Sequence, residues 1–185
     1  MAGALILVDE FTTSSAVSSV TIGGGSSGSS SYNFAIDSTY DVYQLVLESV
    51  SSETDAKNLY MRVTKSGTAQ TDSNYDWAYK ALRSDTTFGN NGADNGSYFP
   101  VTYYSSGTGT SEGVNGVMYL FGFSNASEGT FYTMENASLT SGELLISGTG
   151  GGLHTVKSVS DGLNFYYSSG NVASGSNFKL YGLKK

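Results

Sequence analysis

The chain has 185 residues and a formal net charge of −7, with 24 Gly, one Pro and no Cys. Only nine Lys and Arg residues are present, which argues against nucleic acid as a ligand because phosphate backbones are bound through basic side chains. The lack of Cys excludes disulfides, thiolate metal sites and a cysteine nucleophile. Aromatic residues make up 13%, so we expect one folded domain and not a disordered chain.

The chain begins with an apolar segment, residues 4–8, which predicts a short strand. Residues 1–8 then form either an edge strand of the domain or an arm that contacts a neighbouring subunit or another protein. The segment is too short for a signal peptide and has no basic leader, and no stretch approaches the length of a membrane helix. Residues 16–22 predict the next strand, and Gly23 to Ser31 predict a flexible loop.

Two strands between Tyr40 and Thr64 are the strongest predictions. Residues 42–47 are apolar on both faces, which is typical of a strand that is covered on both sides and lies centrally in a sheet. Residues 59–64 alternate between apolar and polar side chains, as a half-buried strand does. The polar link between them leaves open whether the two strands are neighbours in one sheet or lie in two sheets.

Residues 74–82 predict a strand in which Tyr75, Trp77 and Tyr79 share one face. Residues 88–97 contain two Asn-Gly pairs, which predict a long exposed loop because this dipeptide favours positive φ. Residues 99–104 predict a strand with its proline near the start, and residues 105–109 another loop.

The remaining elements are also predicted to be strands. Residues 116–123 are apolar on both faces and predict a second central strand, with residues 130–137 as its partner. Shorter strands are predicted at residues 143–147, 153–159, 163–167 and 177–183. Ten to twelve strands and no helix indicate an all-β protein, a jelly-roll-like antiparallel β-sandwich in which residues 1–185 form a single domain.

The glycine-rich motifs do not support catalysis. Gly23 to Gly28 matches G-x-G-x-x-G, but no predicted helix follows to hold a pyrophosphate. The same run and Gly109 to Gly113 match the G-x-S-x-G turn, which requires a strand-to-helix junction and a histidine base. His154 is the single histidine of the chain.

The acidic residues also give no metal or catalytic pattern. Asp72 to Asp76 has the 1, 3, 5 oxygen spacing of a calcium loop, but Trp77 and Arg83 stand where that loop needs Gly and Glu. A looser calcium site stays open, whereas acids such as Glu53 and Asp94 fall in predicted turns. We therefore predict a protein that is not an enzyme and that has no resident cofactor or metal.

Aromatic side chains are the remaining candidates for a binding function. Trp77, Tyr79, Tyr103, Tyr104 and Tyr166 could form platforms for sugar rings. The alternative is that these rings fill the core on one face and cover exposed backbone on the other.

Several runs of the sequence are similar to a known group of proteins. These are the opening Met1 to Leu5, Val17 to Ile22, Ile36 to Leu47, Ser73 to Tyr79 and Leu180 to Leu183. Together they resemble short virion structural proteins of tailed bacteriophages, notably those of marine cyanobacterial phages with contractile tails. The resemblance spans nearly the whole chain, and its motifs are structural and not catalytic.

The resemblance implies a β-sandwich building block on the virion surface, commonly a homotrimer, that is assembled in the host cytoplasm. Its partners would be other virion proteins, either the major capsid protein or tail and baseplate proteins. No heptad or repeat of a fibre shaft appears, which favours a capsid-surface decoration or cement protein. The alternative is a tail or baseplate appendage that binds host glycans. Leu5, Ile6, Leu7 and Val8 are the predicted contact with the particle or with a sister subunit.

Overall fold

The computed structural model describes residues 4–25 and 34–183, and within these ranges the chain forms thirteen β-strands and no α-helix. Residues 26–33 lie outside this description, and with them most of the predicted glycine-rich loop and half of the G-x-G-x-x-G match. The strands are β1 (Leu5–Thr12), β2 (Val20–Gly23), β3 (Val42–Val50), β4 (Leu59–Lys65), β5 (Thr68–Ala69), β6 (Tyr75–Arg83), β7 (Phe88–Gly96), β8 (Phe99–Pro100), β9 (Val114–Phe121), β10 (Thr130–Leu139), β11 (Leu145–His154), β12 (Gly162–Tyr167) and β13 (Asn177–Leu183).

The strands form two antiparallel sheets. The larger sheet has eight strands in the order β1-β13-β3-β9-β10-β11-β6-β7. The smaller sheet has the order β2-β12-β4-β5, and β8 also pairs with β4. Strands β3 and β4 therefore lie in different sheets, which answers the question that the sequence left open.

Eight of the strands have jelly-roll connectivity. We number these eight strands one to eight in chain order: β1, β2, β3, β4, β8, β9, β12 and β13. In this numbering, one half of the large sheet has the strand order 1-8-3-6, and the small sheet has the strand order 2-7-4-5. This is the nesting of a doubled-over hairpin that defines a jelly roll. The prediction of an all-β, jelly-roll-like antiparallel sandwich is confirmed.

Two inserted hairpins widen the large sheet. β10 continues from β9 and pairs with β11, while β6 and β7 pair with each other and join the far side of β11. These insertions lengthen the sheet from four to eight strands. They also bring the β6–β7 hairpin beside β4 and β8 of the smaller sheet.

The core lies between the inner faces of the two sheets. β3 contributes Tyr43, Leu45 and Leu47, each at most 2% exposed, and β4 contributes Leu59, Met61 and Val63, which are fully buried. The period of two that marked residues 59–64 is thus the alternation between core and surface. No helix in residues 4–25 and 34–183 is long and apolar enough to cross a bilayer.

The outer face of the large sheet is more exposed than the sequence indicated. β3 and β9 are central, as predicted, but they are covered on the inner face only. On β9, Met118 and Leu120 are buried, whereas Tyr119 and Phe121 are 42% and 37% exposed. Apolar residues on both faces of a strand predict two covered faces, but in this protein the outer apolar face is open.

The prediction of a long exposed loop over residues 88–97 is wrong. These residues form β7, an edge strand paired with β6, and not a loop. Tertiary pairing overrides the weak strand preference of Asn and Gly. Asn95 does take a positive φ of 57°, but it does so at the irregularity opposite Tyr75 and Trp77 and not in a turn.

Other boundaries shift as well. The predicted strand at 99–104 is a strand only over Phe99–Pro100, and the strand predicted at 16–22 begins at Val20. Residues 153–159 are not a separate strand, because one long strand, β11, runs through the glycine run 150–152 to His154. Thirteen strands therefore replace the predicted ten to twelve.

Candidate functional site

The outer face of the large sheet carries a row of apolar side chains that crosses six strands. Directly opposed residues on neighbouring strands share a face, and Val42, Phe121, Phe131 and Leu153 are opposed in that order across β3, β9, β10 and β11. Leu5 is paired with Leu183 on β1 and β13. We call these residues, together with Leu7 and Tyr119 in the adjoining row, the apolar band.

Much of the apolar band is open to solvent. Leu5, Leu7, Tyr119 and Phe131 are 46%, 43%, 42% and 49% exposed. The band continues into two shallow depressions of about 400 and 440 Å³. Gly151 contributes no side chain to the outer face between them, and Glu135, Asp76 and Asp94 line their polar parts. A contiguous apolar surface of this kind marks an interaction site more often than does a scatter of single residues.

Only some of the four predicted contact residues lie in the apolar band. Leu5 and Leu7 lie in the apolar band through their pairing with Leu183 and Tyr181. Ile6 is paired with Gly182 and so points to the other face, and Val8 lies at the irregularity between Leu7 and Asp9. β1 is the edge strand of the large sheet.

A second feature is a small cleft where the inserted β6–β7 hairpin meets the edge of the smaller sheet. It has a volume of about 130 Å³. We call it the amide–aromatic groove, and it is lined by Asn58, Tyr60, Trp77, Asn91, Tyr98, Pro100, Thr102 and Tyr103.

The wall of the groove is a stacked pair of tyrosines. The Tyr60 and Tyr98 ring centroids lie 4.0 Å apart with an interplanar angle of 22°. Tyr166 meets Tyr60 edge-on at 5.8 Å, and the Arg62 guanidinium lies 4.6 Å from the Tyr166 ring centroid. Arg62 Nε also donates a 2.9 Å hydrogen bond to the Ser97 carbonyl. Together these contacts fix the Tyr60 side of the wall.

The predicted sugar-facing aromatics do not form one platform. Trp77 and Tyr103 line the groove, and Tyr166 lies beyond its wall. Tyr104 packs edge-on against Tyr103 at 4.6 Å, and its ring centroid is 4.8 Å from the Arg83 guanidinium. Tyr79 contradicts the prediction, because it is 4% exposed and cannot offer a ring face to a glycan.

Tyr79 is a core residue with a polar anchor. Its hydroxyl donates a 2.9 Å hydrogen bond to Asn136 Oδ1, and burial raises its pKa to about 12. Asn58, Asn91 and Tyr98 also line the groove, and no pattern in the sequence indicates them. The alternation of residues 59–64 did place Tyr60 and Arg62 on the outer face, which was the signal available for this wall.

The surroundings of the residues in the catalytic motifs indicate a structural role. His154 is 1% exposed and packs against the Tyr75 ring at a centroid distance of 4.8 Å. Neither imidazole nitrogen has a hydrogen-bond partner among the described residues, and burial lowers the pKa to about 4. In the second G-x-S-x-G match the Glu112 carboxylate accepts a hydrogen bond from the Gly109 amide.

The calcium-like spacing does not form a ligand set either. Tyr75, which lies between the second and third oxygen positions of that run, is fully buried, and its hydroxyl donates to the Gln70 carbonyl at 2.7 Å. Within the part of the chain that the structure describes, no group of three or more His, Asp or Glu side chains is placed to hold a metal ion.

Comparison with protein-family models, with curated proteins and with solved structures finds no match to this chain.

Proposed function

We propose that this protein is a non-enzymatic structural protein of a bacteriophage virion, a decoration or cement protein that binds the capsid surface through the apolar band. The observation that carries the proposal is the band itself, an apolar row, largely open to solvent, across six strands of one sheet. The resemblance of the sequence to virion proteins supplies the kind of partner.

The energetics favour a bound state for this surface. Burial of one large apolar side chain contributes roughly 1.5–3 kcal/mol, and the band presents several such side chains side by side. An interface built on it would have the apolar centre and polar rim found in stable assemblies, since Glu135, Asp76 and Asp94 lie around the adjoining depressions.

We further propose that the protein works as a homotrimer on the virion surface after assembly in the host cytoplasm. Closed symmetric assembly would repeat the same apolar band around the particle contact and multiply weak single contacts. The edge position of β1 supports this arrangement, because Leu5 and Leu7 extend the band to the border of the sheet.

A second candidate function is a tail or baseplate appendage that binds host glycans. The amide–aromatic groove favours it, because stacked rings beside carboxamide groups suit sugar recognition. The two candidates differ in where the protein lies on the particle.

Electron cryo-microscopy of the intact particle tests the proposal. We expect density at local three-fold positions of the capsid, with the outer face of the large sheet turned toward the shell. Density on the tail alone would replace the capsid proposal with the appendage, and absence from the particle would contradict both.

Substitution in the band gives a second test with a matched control. Phe131→Ser combined with Tyr119→Ser should reduce particle binding by at least about tenfold, since two large apolar contacts are lost. Phe88→Ser is the control, because Phe88 is 65% exposed on edge strand β7 and lies outside the band. Equal binding by the double variant and the control, measured by co-sedimentation, would show that the band is not the contact.

A further inference from the structure

We propose that the amide–aromatic groove is a binding site for a single neutral hexopyranose residue, such as the terminal sugar of a surface glycan. This inference rests on the second candidate function and names the class of its ligand, and it does not depend on capsid binding.

The small volume of the groove limits its ligand to one sugar ring and excludes a chain of sugars. Its volume of about 130 Å³ corresponds to roughly four water molecules, and a bound ring would displace them. Its walls come from four elements, with Tyr60 on β4, Pro100 on β8, Trp77 on β6 and Asn91 on β7. The site therefore exists only because the β6–β7 hairpin is inserted beside the jelly roll.

The aromatic wall is held in place before any ligand arrives. Tyr60 is stacked on Tyr98 and braced by Tyr166, and Arg62 is tied to both the Tyr166 ring and the Ser97 carbonyl. The negative face of an aromatic ring attracts the C–H groups on one side of a pyranose. Because the rings are already ordered, binding loses little side-chain entropy.

The polar groups of the groove are carboxamides with unused bonding capacity. The Asn58 side chain makes no hydrogen bond to another described residue, although its backbone N–H and C=O are both bonded. Asn91 Oδ1 accepts from the Gly92 amide at 2.9 Å, and its Nδ2 has no partner within the described residues. A carboxamide both donates and accepts, which matches sugar hydroxyl groups.

The charge of the groove selects a neutral sugar. No Asp, Glu, Lys or Arg lines it, and the Arg62 guanidinium is turned toward Tyr166 and Ser97. A sialic or uronic acid would have to bury its carboxylate without a cationic partner, which is unfavourable. The groove shares no residue with the apolar band itself, but Trp77 lines both the groove and one of the depressions beside the band.

Saturation-transfer NMR of the full chain with a panel of methyl glycosides tests the proposal. The panel holds the methyl glycosides of glucose, galactose, mannose and N-acetylglucosamine, with that of N-acetylneuraminic acid as the charged comparison. We expect at least one neutral glycoside to bind with a Kd in the millimolar range or tighter, and the charged one to bind at least about tenfold more weakly.

Two groove variants and one control identify the site. Asn91→Ala, on an exposed edge strand, and Tyr98→Ala should each weaken binding by about tenfold, while Tyr119→Ala in the apolar band should leave it unchanged. Circular dichroism checks the fold, and Asn91→Ala keeps the test valid if Tyr98→Ala does not fold. Failure of all neutral glycosides to bind, stronger binding of the charged sugar, or equal binding by Asn91→Ala and wild type would overturn the proposal. None of these outcomes bears on capsid binding.

Discussion

At the scale of single residues, His154 has the most unusual environment. Its imidazole is buried beside Tyr75, without a hydrogen-bond partner in the described chain, and burial away from water lowers its pKa. The neutral ring packs in the core in the same way as another aromatic side chain. The protonated ring would place an uncompensated charge in the core.

This environment predicts that stability falls on mild acidification. The pKa of His154 is about 4 in the folded protein against 6.5 for an ordinary histidine, so the unfolded chain binds more protons between these values. The stability contribution is therefore fully present above pH 6.5 and is lost as the pH falls toward 4, with no further loss below that. The total effect is at most about 3 kcal/mol.

The measurement is the free energy of unfolding in denaturant at several pH values, compared with that of His154→Phe. Carboxylates titrate in the same range in both proteins, so the difference between them isolates the histidine. A difference that does not change between pH 7 and pH 4 would contradict the assignment.

The candidate site shows what residue patterns can and cannot predict. Alternation in a strand gives the face of a side chain but not its depth, which is why Trp77 lines the groove while Tyr79, on the same face, is buried. Asn58 and Tyr98 lie in links between strands, where no period exists. Their convergence depends on how two sheets meet, and no local pattern contains that information.

At the scale of elements, β11 is a strand built largely on glycine. Gly148, Gly150 and Gly152 point inward, and a Cβ at any of them would collide with the rings or backbone packed over the strand, including those of Tyr79 and Tyr132. The sequence predicts two strands in this region, 143–147 and 153–159, whereas glycine, which usually weakens a strand, continues a single strand here. Here the absence of side chains at these glycines leaves the space that the tyrosine rings occupy.

Gly148→Ala should destabilise the fold strongly. An added Cβ would overlap the Tyr79 hydroxyl and come within 2.7 Å of Asn136 Oδ1, which forces apart the hydrogen bond between them. We expect a loss of about 2–4 kcal/mol in the free energy of unfolding.

Gly142→Ala is the matched control, because its nearest neighbour would be 3.8 Å away in an exposed turn. Chemical denaturation should give a value close to wild type for the control. Similar stability of the two variants would mean that β11 has room for side chains.

The edge strands show a second limit of element prediction. β7 has three asparagines and three glycines and still forms nine residues of strand, because β6 offers it a hydrogen-bonding edge along most of its length. The polar composition of β7 suits an edge position, since polar edge strands resist pairing with other chains.

Deletion of residues 1–8 tests the other edge. β1 pairs only with β13 among the described strands, and Phe11 remains to cover Phe178. We expect a folded protein with reduced stability that no longer joins the particle, since Leu5 and Leu7 leave the band. Circular dichroism and co-sedimentation measure the two effects; an unfolded product would show that the whole of β1 is required for the core.

At the scale of the whole molecule, composition and short strands sufficed to predict the sandwich, but strand order required the structure. The jelly roll brings together β2 and β12, and β1 and β13, which lie at opposite ends of the sequence. Nothing in Val20 or Phe165 alone marks them as partners. The net charge of −7 belongs to this scale too, since it opposes unspecific association of a molecule with an open apolar face.

The pairing of β1 with β13 also has a consequence for biosynthesis. β1 is made first among the described strands, whereas β13 is made last among them. At about 5–20 residues per second, the wait between them is on the order of 10 to 40 s. During that time Leu5, Ile6 and Leu7 form an uncovered apolar segment on a nascent chain. The large sheet therefore stays incomplete until β13 has been synthesised, and this apolar segment lacks its strand partner for all of that time.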